Sequence, residues 1–160
     1  MAIPLSDGIA LEPVPPERSG EVSEMAYPIY WEVYAKNPPE RVEWFLKTYQ
    51  SPESISEQIL SGTVYCFILV DGERAGYLAY EKDPEGMRLS KLYLLKEYRG
   101  RGIGGHLLEY VEDRAREEDL RRVHLEVNIY RTVSRHFYES HGYAEVDILD
   151  GYRIIMAKVL

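Results

Sequence analysis

Leu92-Tyr93-Leu94-Leu95-Lys96-Glu97-Tyr98-Arg99-Gly100-Arg101-Gly102-Ile103-Gly104-Gly105-His106-Leu107-Leu108 is the stretch on which the reading of this 160-residue chain turns. It opens as an apolar run rich in strand formers that ends at Lys96. A turn with four glycines and two arginines follows, and Leu107, Leu108 and Val111 then begin a helical period. Strand, glycine-rich turn and helix make up the layout of a phosphate cradle. Glycines let the backbone approach an anion and adopt conformations closed to other residues. The unpaired N–H groups of a helix's first turn point at such an anion, and the helix dipole favours negative charge there. Arg99 and Arg101 add charge-assisted donors. The spacing excludes two common cradles. Gly100, Gly102, Gly104 and Gly105 break the Gly-x-Gly-x-x-Gly rhythm of dinucleotide sites, and a Gly-Lys-Ser/Thr loop is absent.

Around this stretch the pattern alternates helices and strands. Ile9 to Val14 reads as a short strand, followed by a turn at Pro13, Pro15 and Pro16. Ser23 reads as the cap of a helix through Met25 to Ala35, with Pro28 near enough to its start to be tolerated. Tyr27, Tyr30, Trp31 and Tyr34 form one aromatic face of it. Asn37-Pro38-Pro39 breaks that helix and starts another, with Val42, Phe45, Leu46 and Tyr49 as its apolar stripe. Ser51-Pro52 caps a third, which Gly62 ends. Thr63 to Val70 is a strand apolar enough to be covered on both faces. Turns at Asp71-Gly72 and Asp83-Pro84-Glu85-Gly86 separate it from the strands Arg74–Glu81 and Met87–Lys96. A helix from about Ile103 to Glu118 carries Glu109, Glu112, Asp113, Glu117 and Glu118, read as a solvated face. Val123–Val127 follows a strand and a crossover helix, so it should lie parallel to Leu92–Lys96. A short helix Ser134–Ser140 and a hairpin, Tyr143–Leu149 with Tyr152–Val159, complete a single α+β domain over residues 1–160.

Net charge is −8, which sets the surface against nucleic acid and anionic membrane. Cys66 is the only cysteine, no apolar run reaches membrane-span length, and the N-terminus lacks the pattern of a signal peptide. A cytoplasmic protein is expected, with monomer and homodimer both open. His106, His124, His136 and His141 share no metal-ligand spacing, so no metal is expected.

The motif Arg99-x-x-Gly102-x-Gly104, after a Leu-Tyr-Leu strand and before an amphipathic helix, resembles the acetyl-coenzyme A pyrophosphate loop of the GCN5-related N-acetyltransferase (GNAT) superfamily. A second stretch, Leu125 through Tyr143, is similar to that family's C-terminal signature at Leu125, Val127, Phe137, Tyr138, Gly142 and Tyr143. The family's usual Asn falls on Arg131 and its usual Ala on Ser134. The resemblance implies a GNAT (acyl-CoA N-acyltransferase) fold, a single mixed β-sheet with a central splayed parallel strand pair flanked by helices. It also implies acetyl-CoA as co-substrate and an amine acceptor. The diphosphate would lie on Arg99, Gly100, Arg101, Gly102, Ile103, Gly104 and Gly105. Leu92, Tyr93 and Leu94 would line the pantetheine arm, with the Leu94 N–H as oxyanion donor. Arg131 or Asn128 would take the contact of the missing Asn.

The chemistry asks for an acid and a base. When an amine attacks a thioester, the intermediate expels a thiolate, and Tyr138 stands at the family's general-acid position. Glu126, in Leu125-Glu126-Val127, matches the base of ribosomal-protein alanine acetyltransferases and is the candidate base, directly or through water. The acidic position often found on the preceding strand is Ser90 here. A looser likeness to bacterial spermidine/spermine acetyltransferases, and an aromatic face able to clamp a cation, favour a small amine or polyamine acceptor. A protein N-terminus or lysine is the alternative, and a non-catalytic acyl-CoA sensor is the reading from another class.

Overall fold

In the computed structural model, which describes residues 1–160, the strands join in one sheet. The strands are β1 Ile3–Ser6, β2 Ile9–Pro13, β3 Val64–Val70, β4 Glu73–Asp83, β5 Gly86–Leu94, β6 Arg122–Asn128, β7 Ala144–Ile148 and β8 Arg153–Val159. The helices are α1 Ser19–Val33, α2 Pro39–Tyr49, α3 Pro52–Leu60, α4 Ile103–Glu117 and α5 Thr132–Ser140. The sheet order is β1-β2-β3-β4-β5-β6-β8-β7, and β5–β6 is its parallel pair. The central strand β3 and residues 75–80 of β4 are apolar because both faces are covered there. One face carries α4, whose Ile103, Leu107, Leu108, Val111 and Ala115 meet Leu78, Leu89, Val123 and Leu125. The other carries α1 to α3, which bury Val22, Ile29, Leu46 and Ile55 against Tyr65, Phe67, Tyr77 and Tyr93.

The chain holds 14 tyrosines against 3 phenylalanines, and the second core shows one use for them. Gln50 is fully buried at the end of α2. Its Oε1 accepts from the Tyr77 hydroxyl at 2.6 Å, and its Nε2 donates to the Tyr65 hydroxyl at 3.1 Å. The Ser23 hydroxyl donates to the Gln50 carbonyl at 2.7 Å. Buried polar groups need such partners, and a tyrosine supplies one while still filling a core position.

Three local readings change. Ser23 does not cap α1; the helix starts at Ser19, and Ser23 is spent inward on Gln50. Pro28 therefore falls inside α1, not near its start. The carbonyl it deprives of a donor belongs to exposed Glu24, where water can substitute. Glu112 is not on a solvated face. It is 6% exposed and accepts from Lys158 Nζ at 3.0 Å and from the Tyr143 hydroxyl at 2.9 Å. Lys158→Met should lower unfolding stability by roughly 3 kcal/mol, because it strands a buried carboxylate with one neutral donor. Glu112→Gln added to that variant should recover much of the loss. Denaturant titration of the two variants reads this directly.

Candidate active site

Three local irregularities in β5 and its surroundings build the site. The first is the separation of the parallel pair. β5 and β6 are in register only at Met87–Val123 and Arg88–His124. Beyond Arg88 the two strands diverge, so the β6-facing edge of β5 through Leu94 lacks strand pairing, although the β4 side continues to Leu94. The second is a bulge. Ala79 of β4 pairs with Lys91 and Tyr80 with Leu89, leaving Ser90 as the extra residue. A bulge reverses the in–out alternation. Met87 and Leu89 before it, and Leu92 and Leu94 after it, all face the α4 core. Arg88, Ser90, Lys91 and Tyr93 all line the opposite side.

The third is the glycine turn. Gly100 and Gly102 have φ of +76° and +78°, a left-handed backbone that suits glycine. Gly102 is the N-terminal cap of α4; no side chain caps this end, and its first turn carries no acid. No atom lies within 4 Å of where a Cβ on Gly102 would stand, so the space over these amides is open. Gly104 has a different reason: a Cβ there would lie 2.8 Å from the Phe137 ring of α5. The loop thus presents helix-terminal N–H groups with no partner in the chain beside an unpaired strand edge, as an extended ligand with a phosphorylated end requires.

Across the sheet from α4 lies a cavity of about 660 Å³, within the usual range for small-ligand sites. Tyr30 of α1 and Tyr34 just past its end, Arg41, Phe45 and Tyr49 of α2, and Ser54, Glu57 and Gln58 of α3 wall it. The sheet contributes Glu81, Arg88, Ser90, Lys91, Tyr93, Glu126, Asn128 and Arg153.

The sequence matches the acetyltransferase (GNAT) family over residues 24–143. The chain belongs to the GNAT acetyltransferase family. Its class is that of the acetyl-CoA-dependent N-acetyltransferases. An uncharacterized N-acetyltransferase of Lactobacillus delbrueckii subsp. lactis is 32% identical over 115 residues, 66% of this chain and 66% of that one. The PaiA N-acetyltransferase of Thermoplasma acidophilum, solved with coenzyme A, superposes with a TM-score of 0.83 at 23% identity, covering 95% of this chain and 99% of the other. An acetyltransferase from Thermus thermophilus gives 0.71 at 20% identity over the whole of both chains. These superpositions agree on the fold: one mixed sheet with a parallel pair, flanked by helices.

Within this GNAT fold the residues singled out in the sequence fall into distinct places. Of the loop, Ile103 is 3% exposed, so its backbone alone faces the ligand side. Arg99 is engaged: its Nε donates to the Leu94 carbonyl at 2.9 Å, and its fork clamps Glu32 of α1 at 2.7 and 2.8 Å. It ties loop, strand and helix together. Arg101 lies over the Tyr98 ring at 5.4 Å. Asn128 is turned toward the cavity, where it exchanges hydrogen bonds with Asn37 at 2.8 and 3.4 Å.

Tyr138 sits on α5, packed edge-on against Phe137 and Tyr143. Burial pushes its phenol up to about 12, partly offset by the nearby Arg131 cation. Arg131 stands at 5.8 Å over Tyr34 and 5.4 Å over Tyr93, whose hydroxyls share a hydrogen bond. The aromatic face read as a cation clamp is thus divided. Tyr30 and Tyr34 join Tyr93 in a cluster already topped by the protein's own Arg131, and Trp31 turns outward at 44% exposure. Glu126 projects into the cavity but is held on both sides, by Arg88 at 3.1 Å and Arg153 at 2.9 Å. Cys66 is buried in β3, its thiol pushed up to about 12 by that burial.

Sequence reasoning missed Arg41, Arg88, Lys91 and Arg153. A signal for two of them was present: Ser90-Lys91 places two polar residues in succession, next to Arg88, where a strand should alternate.

Proposed function

We propose that this chain acetylates a small primary amine by direct attack within a ternary complex with acetyl-CoA. The observation that carries this reading is the adjacency of the open α4 amides, the unpaired edge of β5 and the walled cavity behind it. The amides of residues 102 to 105 hold the diphosphate. The free edge at Leu92, Tyr93 and Leu94 binds the pantetheine arm, and the Leu94 N–H donates to the thioester oxygen as charge builds on it. The amine nitrogen bonds to the carbonyl carbon, the C–S bond breaks, and Tyr138 donates to the departing sulfur. Glu126, clamped by two arginines, acts on the amine's proton through water.

A protein N-terminus or lysine remains the alternative acceptor, supported by the position of Glu126. Thiol release from acetyl-CoA, followed with small amines and with peptides in parallel, tests the reading. Acceleration by a small amine is the expected result. Acceleration by peptides alone moves the assignment to protein acetylation, and release stimulated by neither removes the enzyme reading.

A further inference from the structure

The charges behind the cavity form a chain that balances except at one residue. Glu81 pairs with Arg88 at 3.1 Å, Arg88 with Glu126 at 3.1 Å, and Glu126 with Arg153 at 2.9 Å. Arg153 continues to Asp150 at 2.9 Å, and Asp150 to Arg41 at 3.3 Å. Three acids and three arginines therefore cancel. Lys91 stands outside this chain. Its Nζ donates only to the Ser90 carbonyl at 3.3 Å and the Ser90 hydroxyl at 3.1 Å, and it enters no ion pair. The bulge at Ser90 turns it into the cavity, immediately before the strand residues assigned to the pantetheine arm. The remaining acid of the wall, Glu57, is exposed at the rim. An acidic protein has thus placed an uncompensated cation at the inner wall of its acceptor cavity.

We infer that the acceptor is an amine that also carries an anionic group, a carboxylate or a phosphate, and that Lys91 is the seat of that group. The inference rests on the acetyltransferase reading of the same cavity. A half-buried ammonium without a counter-ion is poorly solvated, and an incoming anion relieves this with a charge-assisted hydrogen bond. A polyamine does the reverse, adding positive charge beside Lys91, Arg88 and Arg153. Desolvation, reinforced by Arg88 and Arg153 against Glu126 and Glu81, lowers the Lys91 ammonium to about 8. The other groups facing it are Tyr30 from α1 and Tyr34 just past its end, Arg41 and Tyr49 from α2, Glu57 from α3 and Tyr93 on its own strand. The sign follows. The protonated form binds the anion, so preference for anionic acceptors is full below about pH 8 and declines above it.

The test uses matched pairs: amino acids against their amides for the carboxylate, and phosphoethanolamine against ethanolamine for the phosphate. Spermidine serves as the cationic comparison. The wild type should favour the anionic member of at least one pair, and the pair that responds identifies the anion. Lys91→Met should reduce that preference by about 10- to 100-fold, through KM, whereas Lys91→Arg should retain most of it. Preference for spermidine or for the uncharged members overturns the inference while leaving the acetyltransferase reading intact. So does a fall in kcat shared by both variants with loss of an ascending pH limb near 8, which would make Lys91 a base. Absence of turnover with every amine overturns the inference together with the reading it rests on.

Discussion

Tyr138→Phe should lower kcat for acetyl transfer by about 100-fold or more, the usual yield of a positioned general acid. The substitution removes one oxygen and leaves the ring in place between Phe137 and Tyr143, so folding and acetyl-CoA affinity should change little. The magnitude comes from the leaving group. A thiolate expelled from a tetrahedral intermediate carries a full charge, and Tyr138, on α5 beside Arg131, is the donor proposed for it. A phenol near 12 is a weak acid against a thiol near 8.5, uphill by roughly 5 kcal/mol for complete transfer. Its contribution is therefore a strong hydrogen bond to the sulfur as charge develops, with the proton moving late. Arg131 works in the same direction by stabilising the phenolate. The pH profile carries a second mark. Because Tyr138 stays protonated to about 12, activity should show no descending limb from it below about pH 11. An unchanged kcat in the Phe variant, with thiol release followed at saturating acetyl-CoA, removes Tyr138 from the chemistry.

How far the sequence disclosed this site depended on what each feature rests on. The loop was legible because its physics is local: glycine at positive φ, an uncapped helix end and a preceding strand occupy one short stretch. The divergence of β5 from β6 was legible through the family resemblance, since nothing in the composition of either strand announces where pairing stops. The aromatic face on α1 was visible, yet its occupant was not. Arg131 is remote in sequence and reaches Tyr34 and Tyr93 only through the turn after β6. Glu126 stood out in the sequence as the candidate base through the family resemblance, but its two arginines come from β5 and from the hairpin. Glu112 misled because helical periodicity placed it among acids, while its partners Lys158 and Tyr143 arrive from β8 and from the turn between α5 and β7. Local propensity reports backbone shape well. Charge pairing across the sheet is a tertiary property, and it decides which charges are left free.

The largest effect on coenzyme binding should come from Gly102→Val, which is expected to weaken acetyl-CoA affinity by about 100-fold while the chain still folds. Gly102 holds φ at +78°, where a β-branched residue is strained. Relaxing that strain rotates the peptide that delivers the first amides of α4. Space is not the obstacle in the free protein, since no atom stands within 4 Å of the added Cβ. The obstacle belongs to the proposed complex, in which the diphosphate takes the volume over the loop. Loss of aligned donors to a doubly charged group, at about 1.5–3 kcal/mol for each charge-assisted hydrogen bond, accounts for the expected factor from only one or two contacts. Gly104→Ala serves as the contrast. Its Cβ meets the Phe137 ring rather than the ligand, so it should disturb α4–α5 packing and stability more than coenzyme affinity. Calorimetric titration with coenzyme A, paired with thermal unfolding, separates the two. If Gly102→Val binds coenzyme A as tightly as the wild type, the diphosphate does not lie on these amides, and the placement of thioester, acceptor and Tyr138 that follows from it is withdrawn.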